Sequence, residues 1–139
     1  MTDISQALYE FWSGFTDRGQ PIAVYKSGHV PKKAAFPYFT FSVTRGAFFG
    51  KTVLTAILWC KQSEGLNVNA QRAAILDQVA RAIPEGGRMI PLEGGGVWLM
   101  RNDADFLSDY EPEDEEAAAA GEEPVIGGRV SYTAQYFIF

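Results

Sequence analysis

Hydrophobic residues at the start of the chain recur with the period of an α-helix. Spacings of 4, 3, 1 and 3 place five of them on one helical face: Ile4, Leu8, Phe11, Trp12 and Phe15. Thr2 or Asp3 can cap the start of this helix, and Gly14 and Gly19 mark its end. We therefore expect an amphipathic N-terminal helix whose aromatic stripe packs into a core.

Further along, the pattern changes to the two-residue period of a β-strand. From residue 38 to residue 44, one side carries Phe39, Phe41 and Val43, and the other carries Tyr38, Thr40, Ser42 and Thr44. Residues 52 to 62 form a longer alternation with apolar side chains on both faces, which predicts a central strand covered on both sides. The short link between the two runs predicts an antiparallel hairpin.

A second helix is predicted over residues 69 to 83, with Asn67 or Asn69 as its cap and Pro84 after its end. Its apolar stripe is Ala73, Leu76, Val79, Ala80 and Ile83. Short strands are predicted at 21–25, 88–92, 97–101 and 105–110. A closing strand is indicated by the alternation of Val130, Tyr132, Ala134, Tyr136 and Ile138.

These elements predict one α+β domain spanning residues 1–139. Its sheet is expected to be mostly antiparallel, with about four to six strands, and to be flanked by two main helices. The length of 139 residues and the 14% aromatic content allow such a core to form without disulfides, and Cys60 is the only cysteine. No run reaches the roughly 18 apolar residues that span a bilayer, so we expect an intracellular protein without a membrane partner.

The formal net charge of −5 is concentrated in one segment. Residues 111 to 123 contain no base and seven acids: Glu111, Glu113, Asp114, Glu115, Glu116, Glu122 and Glu123. The rest of the chain holds ten acids and twelve bases. We therefore predict a flexible acidic loop at 111–123, and a small positive cluster of Lys26, His29, Lys32 and Lys33 in a solvated loop.

Residues that commonly carry catalysis are sparse. His29 and Cys60 are single, so they cannot supply a zinc site or a thiol–histidine pair. Gly46 to Thr52 has only three residues between its glycines and precedes a strand, unlike a phosphate-binding loop. By elimination the sequence predicts a non-enzymatic binding or assembly protein with no cofactor and no metal.

The order of elements and two local sequences suggest a family. The entry Phe36-Pro37-Tyr38-Phe39-Thr40-Phe41 and the ending from Arg129 to Phe139 flank the long strand, the capped helix and the short meander. Over nearly the whole chain this order resembles the tail terminator, or tail-completion, proteins of long-tailed bacteriophages. The acidic stretch at 111–123 is not part of that likeness.

The resemblance implies a virion structural protein at the head–tail junction, assembled in the host cytoplasm. Members of this family form a hexameric ring that caps the tail tube, ends its polymerisation and meets the head connector protein, with DNA only as passing cargo. The candidate interface with neighbouring subunits and with the tail tube protein comprises Tyr38, Thr40, Phe48 and Phe49. The acidic loop would face either the lumen, where it would repel DNA, or outside solvent.

Three alternatives remain open at this point. The nearest is a head–tail connector stopper or neck protein. A small binding domain or a carboxylate-dependent enzyme is another, because Asp103 and Asp105 have the spacing of two carboxylates on one strand face, near Asp109. The last is an adaptor or inhibitor that captures a host protein through its acidic loop.

Overall fold

A computed structural model describes residues 4–43, 51–103, 105–110 and 125–138. In these ranges the chain forms two helices and nine strands. The helices are α1 (Ile4–Trp12) and α2 (Val68–Ala82). The strands are β1 (Thr16–Asp17), β2 (Gln20–Pro21), β3 (Ala23–Lys26), β4 (Tyr38–Phe41), β5 (Thr52–Lys61), β6 (Arg88–Leu92), β7 (Gly95–Arg101), β8 (Leu107–Tyr110) and β9 (Val125–Ile138).

Seven of these strands form one sheet. Its spatial order is β3-β4-β5-β9-β7-β6. Strand β8 also pairs with β9, on the same edge as β7 but with earlier residues of β9. Among the described strands, β3 and β4 are parallel and the other neighbours in this sheet are antiparallel. The α+β fold class with a mostly antiparallel sheet is therefore confirmed, and the sheet has one strand more than the upper end of the expected range.

The two long strands β5 and β9 form the centre of the sheet. Strand β9 pairs with β5 from Val125 to Ala134, and on its other edge it pairs first with β8 and then with β7. The predicted hairpin is confirmed, because β4 runs antiparallel to β5 with Tyr38 opposite Trp59. The prediction that β5 is a central strand is confirmed as well.

Both helices lie on the same face of this sheet. Trp12 of α1 contacts Tyr132 of β9, and Leu76 of α2 packs over Gly128, four residues earlier on the same strand. Residues opposite each other in an antiparallel pair share a face. The core beneath the helices therefore collects alternate residues of the central strands: Leu54, Ala56, Leu58, Cys60, Val97, Leu99, Val130, Tyr132 and Ala134.

Helix α2 begins at its predicted cap but buries a different stripe. The Asn67 side chain accepts a hydrogen bond from the Ala70 amide at 3.1 Å. Ala73, which was expected in the buried stripe, is exposed. The buried face instead includes Gln71 and Arg72, because Gln71 donates to Asp17 and Arg72 donates to the Gly127 carbonyl at 3.1 Å.

The end of α2 is joined to the sheet by an arginine. The Arg101 guanidinium donates to the carbonyl oxygens of Ile83 and Ala80 at 2.7 and 2.8 Å. These carbonyls belong to the last turn, where a helix lacks backbone donors and favours positive charge. Strand β7 and the C-terminus of α2 therefore hold each other in place.

The opposite face of the sheet is not covered by either helix. The expectation that both faces of β5 are covered is wrong, because its burial alternates and Val53 is 58% exposed. Phe137 of β9 lies on the same face as Val53, because it is four residues after Thr133, which pairs with Val53. Phe137 is 37% exposed. We call this surface the open face. Within the described ranges no helix combines the length and apolarity needed to cross a bilayer.

Candidate functional site

Five aromatic rings cluster at one end of the open face. Register places Tyr38 beside Trp59, and their rings stack with centroids 6.4 Å apart. Tyr110 of β8 meets Trp59 edge-on at 5.4 Å, while Phe36 and Tyr25 contact Tyr38 at 5.0 and 5.7 Å. The cluster joins four strands, β3, β4, β5 and β8, to the segment that precedes β4. It is an apolar wall on a face that the helices do not cover.

A buried hydroxyl holds the largest ring of this cluster. The Trp59 indole nitrogen donates to Thr40 Oγ1 at 3.0 Å. Thr40 was a candidate for direct contact with a neighbouring subunit, but it is only 7% exposed. The structure therefore assigns its hydroxyl to orienting Trp59, which is half-buried.

Lysines line the depression beside the rings. This depression has a volume of about 590 Å³, and we call it the basic aromatic groove; its walls are Pro31, Lys32, Lys33, Ala34, Ala35, Phe36, Tyr38, Trp59, Lys61 and Val125. The Lys61 ammonium lies 5.7 Å from the centroid of the Phe36 ring, which is within reach of a cation–π interaction.

A second depression of about 410 Å³ continues from the groove past Phe36 and Lys61, which line both. Arg18 and Gln71 also line it. The Gln71 amide nitrogen donates to Asp17 Oδ2 at 2.9 Å, whereas its Oε1 is buried without a hydrogen-bond partner among the described residues. A buried acceptor of this kind is uncommon in folded proteins.

The charged side chains that line the two depressions are all basic. No described carboxylate lines either of them. In the part of the chain that the structure describes, Lys32, Lys33 and Lys61 form no ion pair, while Arg18 pairs with Asp17 at 3.2 Å. Burial, followed by the neighbouring Tyr25, raises the pKa of the Tyr38 hydroxyl. Tyr38 therefore stays neutral beside the lysines at physiological pH.

The remaining chemically interesting side chains do not gather at this groove. Cys60 is 0% exposed, and burial raises the pKa of its thiol to about 12, with Arg72 lowering it and Asp17 raising it further. His29 lies exposed in the loop after β3. Among the described residues no three His, Cys, Asp or Glu side chains meet in a way that could hold a metal ion.

The three candidate aspartates are separated by their surroundings. Asp103 and Asp105 are exposed in the turn between β7 and β8, and Asp109 lies on β8. The Asp109 carboxylate is 3.3 Å from an Arg72 guanidinium nitrogen. Asp109 therefore links β8 to α2. The three aspartates do not form a common carboxylate site, although they are close in the sequence.

Several predicted site residues lie outside the described residues. These are Phe48 and Phe49 at the hairpin connection, together with Glu111, Glu113, Asp114, Glu115, Glu116, Glu122 and Glu123 of the acidic segment. Tyr38 and Thr40 do lie on the open face, as their alternation predicts.

Sequence reasoning missed the partners that make Tyr38 part of a site. Trp59 and Lys61 lie on the same face of β5 as Val53, since each is an even number of residues away, and the hairpin register brings Trp59 next to Tyr38. This alternation could have identified both residues from the sequence. The approach of Lys32 and Lys33 to the same rings depends on the path of residues 27–37, which no periodicity describes.

Searches of protein-family models, of curated proteins and of solved structures return no match to this chain.

Proposed function

We propose that this chain is a subunit of a ring that caps the tail tube of a long-tailed bacteriophage. The ring would end tube polymerisation and form the interface to the head connector. It would be a hexamer in the virion, at the head–tail junction, and DNA would pass through it as cargo. The partners would therefore be other copies of the chain, the tail tube protein and the connector protein.

One observation carries this proposal. Both helices cover one face of the sheet, and large apolar side chains remain accessible on the open face, including Val53 at 58% and Phe137 at 37% exposure. A sheet face with apolar side chains gains stability when another layer covers it. Neighbouring subunits or the tube end would supply that layer in the assembled particle.

The element order on which the resemblance rests supports the proposal. The described chain contains α1, the β4–β5 hairpin, the capped helix α2, the β6–β7 meander and the long closing strand β9 in the expected sequence. A ring subunit also benefits from a partly polar interface, because it stays soluble until a tube end templates assembly. Thr55, Thr133 and Gln135 lie among the apolar groups of the open face.

Light scattering and negative-stain microscopy test the proposal. The purified chain is measured alone and after mixing with phage tail tubes that lack a terminator. We expect ring-shaped density at one end of each tube and the mass of a closed ring in solution or on the tube. A protein that stays monomeric at every concentration and leaves tube ends bare would overturn the proposal.

A titration with Mg²⁺ or Ca²⁺ addresses the enzyme alternative. A ring subunit without a carboxylate site should give only the heat of dilution in a calorimeter. Saturable heat that disappears in Asp105→Asn would favour a carboxylate-dependent activity instead.

A further inference from the structure

The basic aromatic groove combines features that usually belong to peptide-binding surfaces. Three lysines without a carboxylate partner among the described residues stand beside a wall of packed rings. The chain as a whole carries a formal charge of −5, so this is a local concentration of positive charge on an acidic protein. A local positive patch selects a ligand with complementary charge at short range.

We propose that the basic aromatic groove binds an extended acidic peptide segment of a partner protein. Carboxylates of the peptide would pair with Lys32, Lys33 and Lys61, and its apolar side chains would pack on Phe36 and Trp59. This goes beyond the proposed function, because ring formation assigns no ligand to the groove.

The continuation of the groove lengthens the surface that an extended peptide can contact. Phe36 and Lys61 line both depressions, so a peptide lying on them also reaches the second depression. Arg18, which pairs with Asp17 at 3.2 Å, lines that depression as well.

A single-stranded nucleic acid fits these observations less well than a peptide. Nucleic-acid sites present open ring faces on which successive bases stack. Here Trp59 stacks on Tyr38 and meets the edge of Tyr110, while Lys61 lies over Phe36. Neighbours in the cluster thus cover part of each ring, which suits contact with apolar side chains better than continuous stacking of bases.

Fluorescence anisotropy of a labelled synthetic peptide tests the inference on the full chain. The probe is a nonapeptide in which Glu alternates with Val or Phe. One comparison probe replaces every Glu with Gln, and another is an oligothymidylate of similar length. We expect saturable binding of the Glu peptide only, weakened several-fold when the salt is raised from about 50 to about 500 mM.

Matched lysine variants locate the site. Lys33→Gln and Lys61→Gln should each weaken the Glu peptide about twofold to fivefold, the range of an exposed ion pair, and more in combination. Lys26→Gln is the control, since Lys26 has the same charge but lines neither depression. Circular dichroism and the thermal midpoint verify that all variants are folded.

A spectroscopic readout checks the aromatic wall independently of charge. Binding should change tryptophan fluorescence in the native chain, and Trp59→Phe should abolish that change, whereas Trp98→Phe should keep it. The chain lacking residues 112–122 should bind the Glu peptide at least as tightly, because those acids compete with it.

Several outcomes would overturn the inference. They are equal binding of the Gln peptide, tighter binding of the oligothymidylate, an effect of Lys26→Gln as large as that of Lys61→Gln, or weaker binding by the chain lacking residues 112–122. These measurements use the unassembled chain, so a failure to bind the peptide would not contradict the ring proposal. Likewise, tube ends that stay bare would not contradict peptide binding in the groove.

Discussion

The contact between Trp12 and Tyr132 is the polar link at the centre of an otherwise apolar core. The Trp12 indole nitrogen donates to the Tyr132 hydroxyl at 3.3 Å, and both side chains are 0% exposed. Removing one partner of a buried hydrogen bond leaves the other unsatisfied, which costs about 1–3 kcal/mol. The link therefore stabilises the packing of α1 on β9.

A double-mutant cycle measures this link. Trp12→Phe and Tyr132→Phe should each lower the free energy of unfolding, by at least about 1 kcal/mol in urea titrations. The double variant should lose less than the sum, with a coupling of about 1 kcal/mol, because the same bond is lost only once. Strictly additive losses would show that the hydrogen bond contributes nothing to stability.

The buried thiol of Cys60 makes stability depend on alkaline pH. Its pKa is about 12 in the folded chain against an ordinary value of 9.0, so above pH 9 the unfolded chain loses a proton that the folded chain keeps. The free energy of unfolding should therefore fall by about 1.4 kcal/mol between pH 8 and about pH 10. In Cys60→Ala this decline should be smaller by about 1.4 kcal/mol over the same range. Only the part due to the Tyr132 and Tyr38 hydroxyls, whose pKa values burial also raises, should remain. An unchanged slope would contradict the assignment.

At the level of elements, two adjacent glycines allow β9 to pack against different neighbours. A Cβ on Gly127 would lie 2.9 Å from the Leu58 carbonyl oxygen and 3.1 Å from the Tyr110 ring. A Cβ on Gly128 would instead meet the end of the Leu76 side chain at 2.7 Å. Backbone atoms of a paired strand cannot move as easily as the end of a leucine.

We therefore expect unequal costs for two otherwise identical substitutions. Gly127→Ala should lower the free energy of unfolding by about 1–3 kcal/mol, the usual cost of overpacking, because β5 must shift away from β9 at the Leu58 carbonyl. Gly128→Ala should cost less, and Leu76→Val should relieve part of that cost. Chemical denaturation of the three variants and of the double variant measures these differences. Equal losses at the two glycines would contradict the role of the Leu58 carbonyl.

At the scale of the whole molecule, the open face is the surface expected to meet neighbouring subunits. Val53 is 58% exposed on that face, and Tyr9 is 45% exposed on α1, on the opposite side of the sheet. Both side chains are already solvated, so a charge at either position should change the stability of the monomer little.

Val53→Glu and Tyr9→Glu are therefore a matched pair for assembly. Val53→Glu should prevent association and decoration of tube ends, because a carboxylate would be buried without a partner in the interface. Tyr9→Glu should assemble like the unmodified chain. Light scattering and microscopy give the comparison, and thermal unfolding verifies that both monomers are folded. Assembly lost only in Tyr9→Glu would place the interface on the helices.

Periodicity predicted the elements well where apolar residues alone decide burial. The alternation in β4, β5 and β9 placed Phe39, Leu58 and Tyr132 on the covered face, as the structure confirms. It failed in α2. There Arg72 is buried because it donates to the Gly127 carbonyl and pairs with Asp109, whereas Ala73 is exposed. Partners distant in the chain decide whether a polar residue can be buried, so local spacing cannot show it.

The amino-acid sequence alone determined the two helices, the approximate positions of β3 to β9, the α+β class and the pairing of the β4–β5 hairpin, because these follow from local periodicity and short connections. It did not predict β1 and β2, or the start of β9 at Val125. Only the tertiary structure decided that β9 lies between β5 and β7, that β3 runs parallel to β4, and that both helices share one face. It also brought Lys33, Phe36 and Lys61 to one groove. These features depend on contacts between distant segments, whose free energy is set by the whole packed sheet and not by any local pattern.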